Sequence, residues 1–241
     1  MTKHVLLDNI NYKDLKIITE RSARFGDNVP SALTYPLEFR DIQSHYPICF
    51  SKNSDNDEFH AIALLGFEKD ENLFLNPKGW DVSYIPLMLQ RDPFLIGFGQ
   101  QKLGEEEAQP FIYFDADSPR VSTTTGESVF LAHGGNSPYL QKISKVLQTL
   151  HHGQQGSKTF FEQLLKFDLI EEFTLEVKLN DGSDNKLQGL FTINEEKLNQ
   201  LDDNSKIALF NSGSLAAIYM VIASLSNFSA LIERKNKQLE C

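Results

Sequence analysis

The spacing of the apolar residues changes about halfway along the chain. In the first half, short apolar runs are separated by segments rich in Gly, Pro, Asn and Asp, a pattern typical of strands and turns. These runs lie at 61–67, 73–75, 82–85, 94–98 and 111–114. Residues 1–28 are polar and show no period, so we expect an irregular N-terminal segment there.

The second half predicts helices. Ser137 followed by Pro138 is a typical helix start, because a hydroxyl side chain caps the first turn and proline fits its first position. Apolar residues then recur every three or four positions up to Leu150, and Gly153 is expected to end this helix. A second helix is expected to begin after Ser157.

Two alternating segments, 174–179 and 187–193, flank the turn residues Asp181 and Gly182 and predict a β-hairpin. Asn194 is expected to cap the short helix that follows. The fold class predicted from these patterns is α+β, with a strand-rich first half and with helices and a β-hairpin in the second half, forming a single compact unit. We expect the domain to cover residues 29–235 and a C-terminal tail to cover 236–241.

The segment from 207 to 232 contains no charged residue, and its last 19 residues are about as long as a membrane-spanning helix. Its Ser and Asn residues favour a buried helix of a soluble protein over a membrane anchor. Whether this helix packs within its own fold or at an interface stays open. Its expected buried stripe comprises Leu215, Ile218, Tyr219, Ile222, Leu225 and Phe228.

The net charge of the chain limits the classes of molecule that it is expected to bind. The 241 residues include 33 Asp and Glu against 23 Lys and Arg, a net charge of −10, which argues against binding to nucleic acids. The N-terminus lacks the apolar core of a signal peptide, so we expect a cytoplasmic protein that is not inserted in a membrane. Cys49 and Cys241 do not require an oxidising compartment, and Cys49 is expected to be a buried, inert thiol.

No catalogued catalytic or metal-binding motif occurs in the chain, and we predict no cofactor and no metal. Asp115 and Asp117 follow an apolar run and would share one face of a strand, as an acid–base pair requires. The alternative is a turn before Pro119, in which the side chains accept bonds from nearby backbone N–H groups. An enzymatic site assembled from distant residues would draw on this pair and on His133.

The most unusual local composition lies between 79 and 94, which includes the only tryptophan. Aromatic residues and arginine are typical of the residues that dominate binding surfaces. The alternative is a structural role, in which Trp80 fills the core and Arg91 pairs with Asp92 or Asp81. The candidate residues for binding a partner or ligand are Trp80, Asp81, Tyr84, Pro86, Arg91 and Phe94.

An ordered set of short motifs resembles the bacterial SapC family. The motifs are YPICF at 46–50, ALLG at 63–66, ENLF at 71–74, GW at 79–80, YIP at 84–86, RDPF at 91–94, GLFTI at 189–193, KL at 197–198, GSL at 213–215, Tyr219, and SL at 224–225. The resemblance covers residues 25 to 235. The family is named after a locus linked to a bacterial surface layer, and its label as a peptide-transport permease does not suit a chain with at most one candidate spanning helix.

The resemblance also implies partners. Similar proteins tend to be encoded beside flavin-dependent tryptophan-halogenase-like proteins, cupin-type oxygenases and TonB-dependent receptors. Our first hypothesis is therefore a non-enzymatic accessory protein that engages a protein partner or a small ligand. The sequence predicts no oligomeric state. The alternatives are an enzyme or cofactor-dependent modifier, and a structural protein of the surface layer.

Overall fold

The structure is a computed structural model that describes residues 3–53, 56–98 and 110–240. Its helices, strands and sheets confirm the predicted α+β class. The described residues form two compact units, and the predicted single unit is therefore divided in two. The first unit combines residues up to 27 with residues 87–152, and the second combines 28–86 with the residues from 153 onward.

The first unit contains two small antiparallel sheets. One has the strand order β1-β9-β8 and the other the order β10-β2-β11. Numbered along the whole chain, its elements are β1 His4–Leu6, β2 Lys16–Ile17, α2 Leu87–Gln90, β8 Phe94–Phe98, β9 Pro110–Asp115, β10 Val121–Ser122, β11 Glu127–Ser128 and the first half of α3, Pro138–Lys166. A 3-10 turn lies at Ala23–Phe25.

Residues 1–28, which we predicted to be irregular, contain β1 and β2. His4 pairs with Asp115 in β9, and Ile17 pairs with both Val121 and Glu127. The N-terminal stretch is therefore part of a folded unit. Its strands are too short to show a period, and their partners lie more than 100 residues away, so the local pattern gave no signal for them.

One face of α3 supplies much of the first unit's core. Leu140, Ile143 and Leu147 pack with Phe94 and Phe114 of the neighbouring strands, and all five side chains are buried. The helix begins as predicted, because the Ser137 hydroxyl accepts a hydrogen bond from the Leu140 N–H at 3.1 Å. Burial of this apolar face stabilises the unit in proportion to the area removed from water.

The second unit is built around a five-stranded antiparallel sheet of order β12-β13-β4-β5-β3, together with the two-stranded sheet β6-β7. Helices pack against the larger sheet, and α6 contacts both β4 and β13. The elements are β3 Ser31–Thr34, α1 Phe39–Ile42, β4 Ile48–Lys52, β5 Phe59–Leu64, β6 Leu75–Asn76, β7 Gly79–Trp80, β12 Ile170–Lys178, β13 Asp184–Ile193, α4 Glu195–Gln200, α5 Asp203–Asn211, α6 Ser214–Ser224 and α7 Asn227–Leu239.

The predicted hairpin is confirmed as β12 and β13, which pair over most of their length. Gly182 has a φ of +86°, as the turn between the strands requires. The predicted cap is also confirmed, because Asn194 Oδ1 accepts a hydrogen bond from the Lys197 N–H at 2.8 Å. The predicted C-terminal tail differs from the structure: α7 runs to Leu239, and Cys241 lies outside the described residues.

The predicted helix end at Gly153 is wrong, because α3 continues through it to Lys166. A Cβ at Gly153 would lie 2.9 Å from the Tyr35 side chain, which is too close for a real contact. The glycine therefore permits close packing instead of ending the helix. This reason is tertiary and cannot be read from the local sequence.

The uncharged segment, residues 207–232, covers the end of α5, all of α6 and the start of α7. The buried side chains of α6 include Ala217, Ile218 and Val221, whereas Tyr219 is 55% exposed, so the buried face is rotated from the predicted stripe. Taken together, α6 and α7 (Ser214–Leu239) are long and apolar enough to cross a membrane by length and composition. Core helices of soluble proteins have the same length and composition.

Candidate functional site

The predicted residues Trp80, Asp81 and Tyr84 lie in the second unit, on β7 and the loop that follows it. A tight turn joins β6 to β7, and Gly79 in this turn has a φ of +110°, a backbone conformation that favours glycine. Asn76 Oδ1 accepts the Lys78 N–H at 2.7 Å and closes the same turn. The local sequence thereby places Trp80 at the start of the loop.

Trp80 is anchored at both its ring and its nitrogen. Its Nε1–H donates to the hydroxyl oxygen of Tyr46 at 2.9 Å, and its ring stacks on Phe74 with centroids 6.5 Å apart. The Tyr46 hydroxyl in turn donates to the Tyr84 carbonyl oxygen. Tyr46 is fully buried, whereas Trp80 and Tyr84 are half-buried. A buried tyrosine therefore fixes the Trp80 side chain and the backbone of Tyr84.

The Tyr84 side chain is held by a buried carboxylate. Its hydroxyl donates to Glu38 Oε1 at 2.9 Å, and the Thr34 hydroxyl donates to Glu38 Oε2 at 2.8 Å. Glu38 is 2% exposed. Burial and the negative charge of Glu38 raise the pKa of Tyr84, and burial also raises the pKa of Tyr46. Both phenols therefore stay protonated at neutral pH and act as hydrogen-bond donors.

Asp81 is paired within the same unit. Arg234 of α7 lies 2.6 Å from its carboxylate and stacks over the Phe74 ring at 4.4 Å. Of the two partners considered for Arg91, Asp92 and Asp81, the second is therefore bound by Arg234 instead. We name Trp80, Asp81 and Tyr84, with their supports Tyr46 and Glu38, the Trp80 network.

The next residue of α7 ties the helix to a second loop. Lys235 is 7% exposed and lies 2.6 Å from Glu71 and 2.8 Å from Glu68. Burial lowers the pKa of Lys235, but the hydrogen bonds to Glu68 and Glu71 outweigh burial and raise it overall. Lys235 therefore remains charged and fixes the segment that leads into β6.

The remaining predicted binding residues have different surroundings. Pro86 is buried in the second unit, and Arg91 and Phe94 belong to the first. Phe94 is fully buried in the core, and its carbonyl oxygen accepts a hydrogen bond from Arg91 at 3.2 Å. Since a fully buried side chain cannot touch a partner, Phe94 is placed as a core residue.

Asp115 and Asp117 form the turn that was the alternative to an acid–base pair. Asp115 Oδ1 accepts hydrogen bonds from the N–H groups of Asp117 and Lys3, each at 3.1 Å. His133 is exposed in a loop beside Gly134. In the parts of the chain that the structure describes, no group of three His, Cys, Asp or Glu side chains is arranged to hold a metal ion.

The first unit also contains a buried cluster of charged residues that no sequence pattern indicated. Asp27 is 1% exposed and lies 2.5 Å from Arg120 and 2.9 Å from Arg21. Arg120 also donates to two backbone carbonyl oxygens, those of Ile18 and Glu20. Asp27 and Arg120 are 93 positions apart in the sequence, so no local pattern could have indicated their pairing.

The buried thiol was predicted correctly. Cys49 is fully buried in β4, and burial raises its pKa, so the reactive thiolate form is disfavoured.

The comparisons with known proteins give one match. The family model described as SapC matches residues 7–231, which is most of the chain. No curated protein and no solved structure matches the chain.

Proposed function

The chain belongs to the SapC family, and from this premise we propose that it is a non-enzymatic accessory protein that binds a partner protein through the Trp80 network. The observation that carries the proposal is the support given to Trp80 and Tyr84 by buried Tyr46 and Glu38. Aromatic side chains already held in one conformation lose little entropy on binding. Tryptophan and tyrosine are also the residues most enriched among those that dominate binding energies.

The surface offers both polar and apolar contacts. Ser83 is exposed between the two aromatic residues, and its hydroxyl lies 2.9 Å from His45 Nε2. Asp81, with a side chain 32% exposed, adds a carboxylate that Arg234 holds in place. The net charge of −10 favours a partner with a cationic contact surface.

The resemblance to the family suggests which proteins to test first. Flavin-dependent halogenase-like proteins and cupin-type oxygenases are cytoplasmic candidates, and TonB-dependent receptors are the third class. We place the chain in the cytoplasm, outside the membrane and bound to no nucleic acid, as part of the same proposal.

The test is quantitative affinity purification of the tagged chain from its native cells. The variant Ser83→Arg adds bulk and charge between Trp80 and Tyr84 without removing a member of the network. We expect it to lower recovery of a stoichiometric partner at least tenfold. The matched control Thr174→Arg introduces the same side chain at an exposed residue of β12 and should leave recovery unchanged.

Circular dichroism and thermal melting of both variants show whether each is folded. Equal recovery by the two folded variants would contradict the proposed surface. A stoichiometric bound cofactor, released from the wild-type chain without any protein partner, would favour the alternative that the protein is an enzyme.

A further inference from the structure

A groove in the second unit shares no residue with the Trp80 network. It has a volume of 480 Å³ and lies between α3, α6 and the segment before α1. Pockets for drug-sized molecules span about 300–1,000 Å³, so this groove is large enough for one. Its apolar lining includes Leu37, Gly156, Phe160, Ala216, Ala217 and Met220.

The groove lining contains no charged residue among the described positions. Two of its hydroxyl groups bond to each other, since Ser212 Oγ lies 3.0 Å from Ser214 Oγ. Ser212 Oγ also lies 3.0 Å from the Leu209 carbonyl oxygen. An ion placed against such a wall would lose its hydration without gaining a counter-charge.

Gly156 is an exposed residue of the groove lining. It lies inside α3, where glycine is less favourable than alanine. A Cβ built on it meets nothing within 4 Å, whereas a Cβ at Gly153 of the same helix would collide with Tyr35. Packing therefore explains Gly153 but not Gly156, and a side chain at 156 would extend into open space at the groove.

We propose that this groove binds an uncharged, largely apolar small molecule. The lining supplies apolar contact area, and Leu37 is 47% exposed at its wall. The acidic chain repels anions at long range, and the uncharged lining offers cations no partner. The proposal is independent of the Trp80 surface, so either can fail without the other.

The probe is N-phenyl-1-naphthylamine, an uncharged fluorophore whose emission rises in apolar surroundings. We expect saturable binding to the wild-type chain. We expect 1-octanol to displace the probe at concentrations at least tenfold lower than octanoate does, because octanoate carries a charge. Absence of saturable binding, or equal displacement by the two competitors, would overturn the proposal.

Two variants fill the groove from opposite walls: Gly156→Leu in α3 and Ala216→Leu in α6. Each should lower the affinity for the probe at least tenfold. The control Gln154→Leu adds the same side chain to α3 at an exposed position outside the groove and should change the affinity less than twofold.

Melting temperatures separate loss of the groove from loss of the fold. Gly156→Leu should melt no lower than the wild type, because it replaces a helical glycine with a strong helix former and meets open space. If folded Gly156→Leu and Ala216→Leu bind the probe as tightly as Gln154→Leu does, the probe binds elsewhere and the proposal is wrong.

Discussion

The two units bury a carboxylate in different ways. In the first unit, Asp27 is bound by the guanidinium groups of Arg21 and Arg120, which carry full positive charges. In the second, Glu38 accepts hydrogen bonds from the hydroxyl groups of Thr34 and Tyr84. Both carboxylates are at most 2% exposed, so they differ in the chemical kind of their partners and not in how deeply they are buried.

The difference separates a structural cluster from a candidate binding surface. The Asp27 cluster fastens distant segments of one unit to each other, and Arg120 is itself 2% exposed. The Glu38 cluster ends at Tyr84, a half-buried side chain beside exposed Ser83. The charged groups of the Asp27 cluster bind one another and the backbone of their own unit, and removing one of them leaves a buried charge short of a partner. The Glu38 carboxylate instead holds an aromatic side chain that solvent reaches.

The largest effect is expected from Arg120→Met. The substitution leaves Asp27 with one guanidinium partner in a site that water does not reach, and breaking a buried pair typically costs about 3–5 kcal/mol in the free energy of unfolding. Urea denaturation measures the loss. The control Lys186→Met breaks the exposed pair with Glu176 and should produce no measurable change. Equal losses in the two variants would contradict the structural role of Asp27.

A smaller effect is expected from Tyr84→Phe. The change removes the hydroxyl that donates to Glu38 and keeps the backbone carbonyl that accepts from Tyr46. Leaving a buried acceptor short of one donor typically costs about 1–3 kcal/mol. The same denaturation experiment applies, with Tyr219→Phe as the control because Tyr219 is 55% exposed. A loss of stability as large as that of Arg120→Met would show that neutral hydroxyl partners and charged guanidinium partners contribute equally to the two clusters.

The smallest effect, and the one that depends on pH, is expected at Asp92. Burial raises its pKa above the usual 3.8, despite the positive charges of Arg91, Arg120 and Arg21, and Asp27 adds to the rise. The folded state therefore binds a proton at Asp92 more tightly than the unfolded state does. This difference in proton binding stabilises the folded state fully below pH 3.8, and the stabilisation is lost as the pH rises through the raised pKa.

The variant Asp92→Asn mimics the protonated carboxyl group. It should therefore be more stable than the wild type at pH 7, and the difference should shrink as the pH falls below 4. Urea denaturation at a series of pH values measures this difference. A gain that is the same at pH 3.5 and pH 7 would show that ionisation of Asp92 is not its cause.

Features encoded by neighbouring residues were predictable. Asn194 and Ser137 cap helices where the sequence indicated, and the hairpin forms where alternation and Gly182 predicted it. In each case the decisive interaction lies within a few residues of chain. The turn at Asp115 also depends on its own neighbours, which is why it could be foreseen as an alternative.

Features that depend on distant residues were not predictable. Gly153 lies inside α3 and leaves room for the Tyr35 side chain, and no local signal indicates this contact. Tyr219 is exposed because neighbouring elements bury a different face of α6, although its spacing fits an apolar stripe. Composition made Trp80 a candidate binding residue, but its bond to Tyr46 spans 34 positions and appears only in the structure.

The most direct test of the central claim uses the fluorescence of Trp80, the only tryptophan in the chain. A partner recovered by affinity purification can be produced with its own tryptophans replaced and titrated into the wild-type chain. We predict a saturable change in the intensity and wavelength of Trp80 emission, which Ser83→Arg should abolish and Thr174→Arg should retain. A partner that binds with equal affinity to all three chains and leaves Trp80 emission unchanged would contradict a binding surface at the Trp80 network.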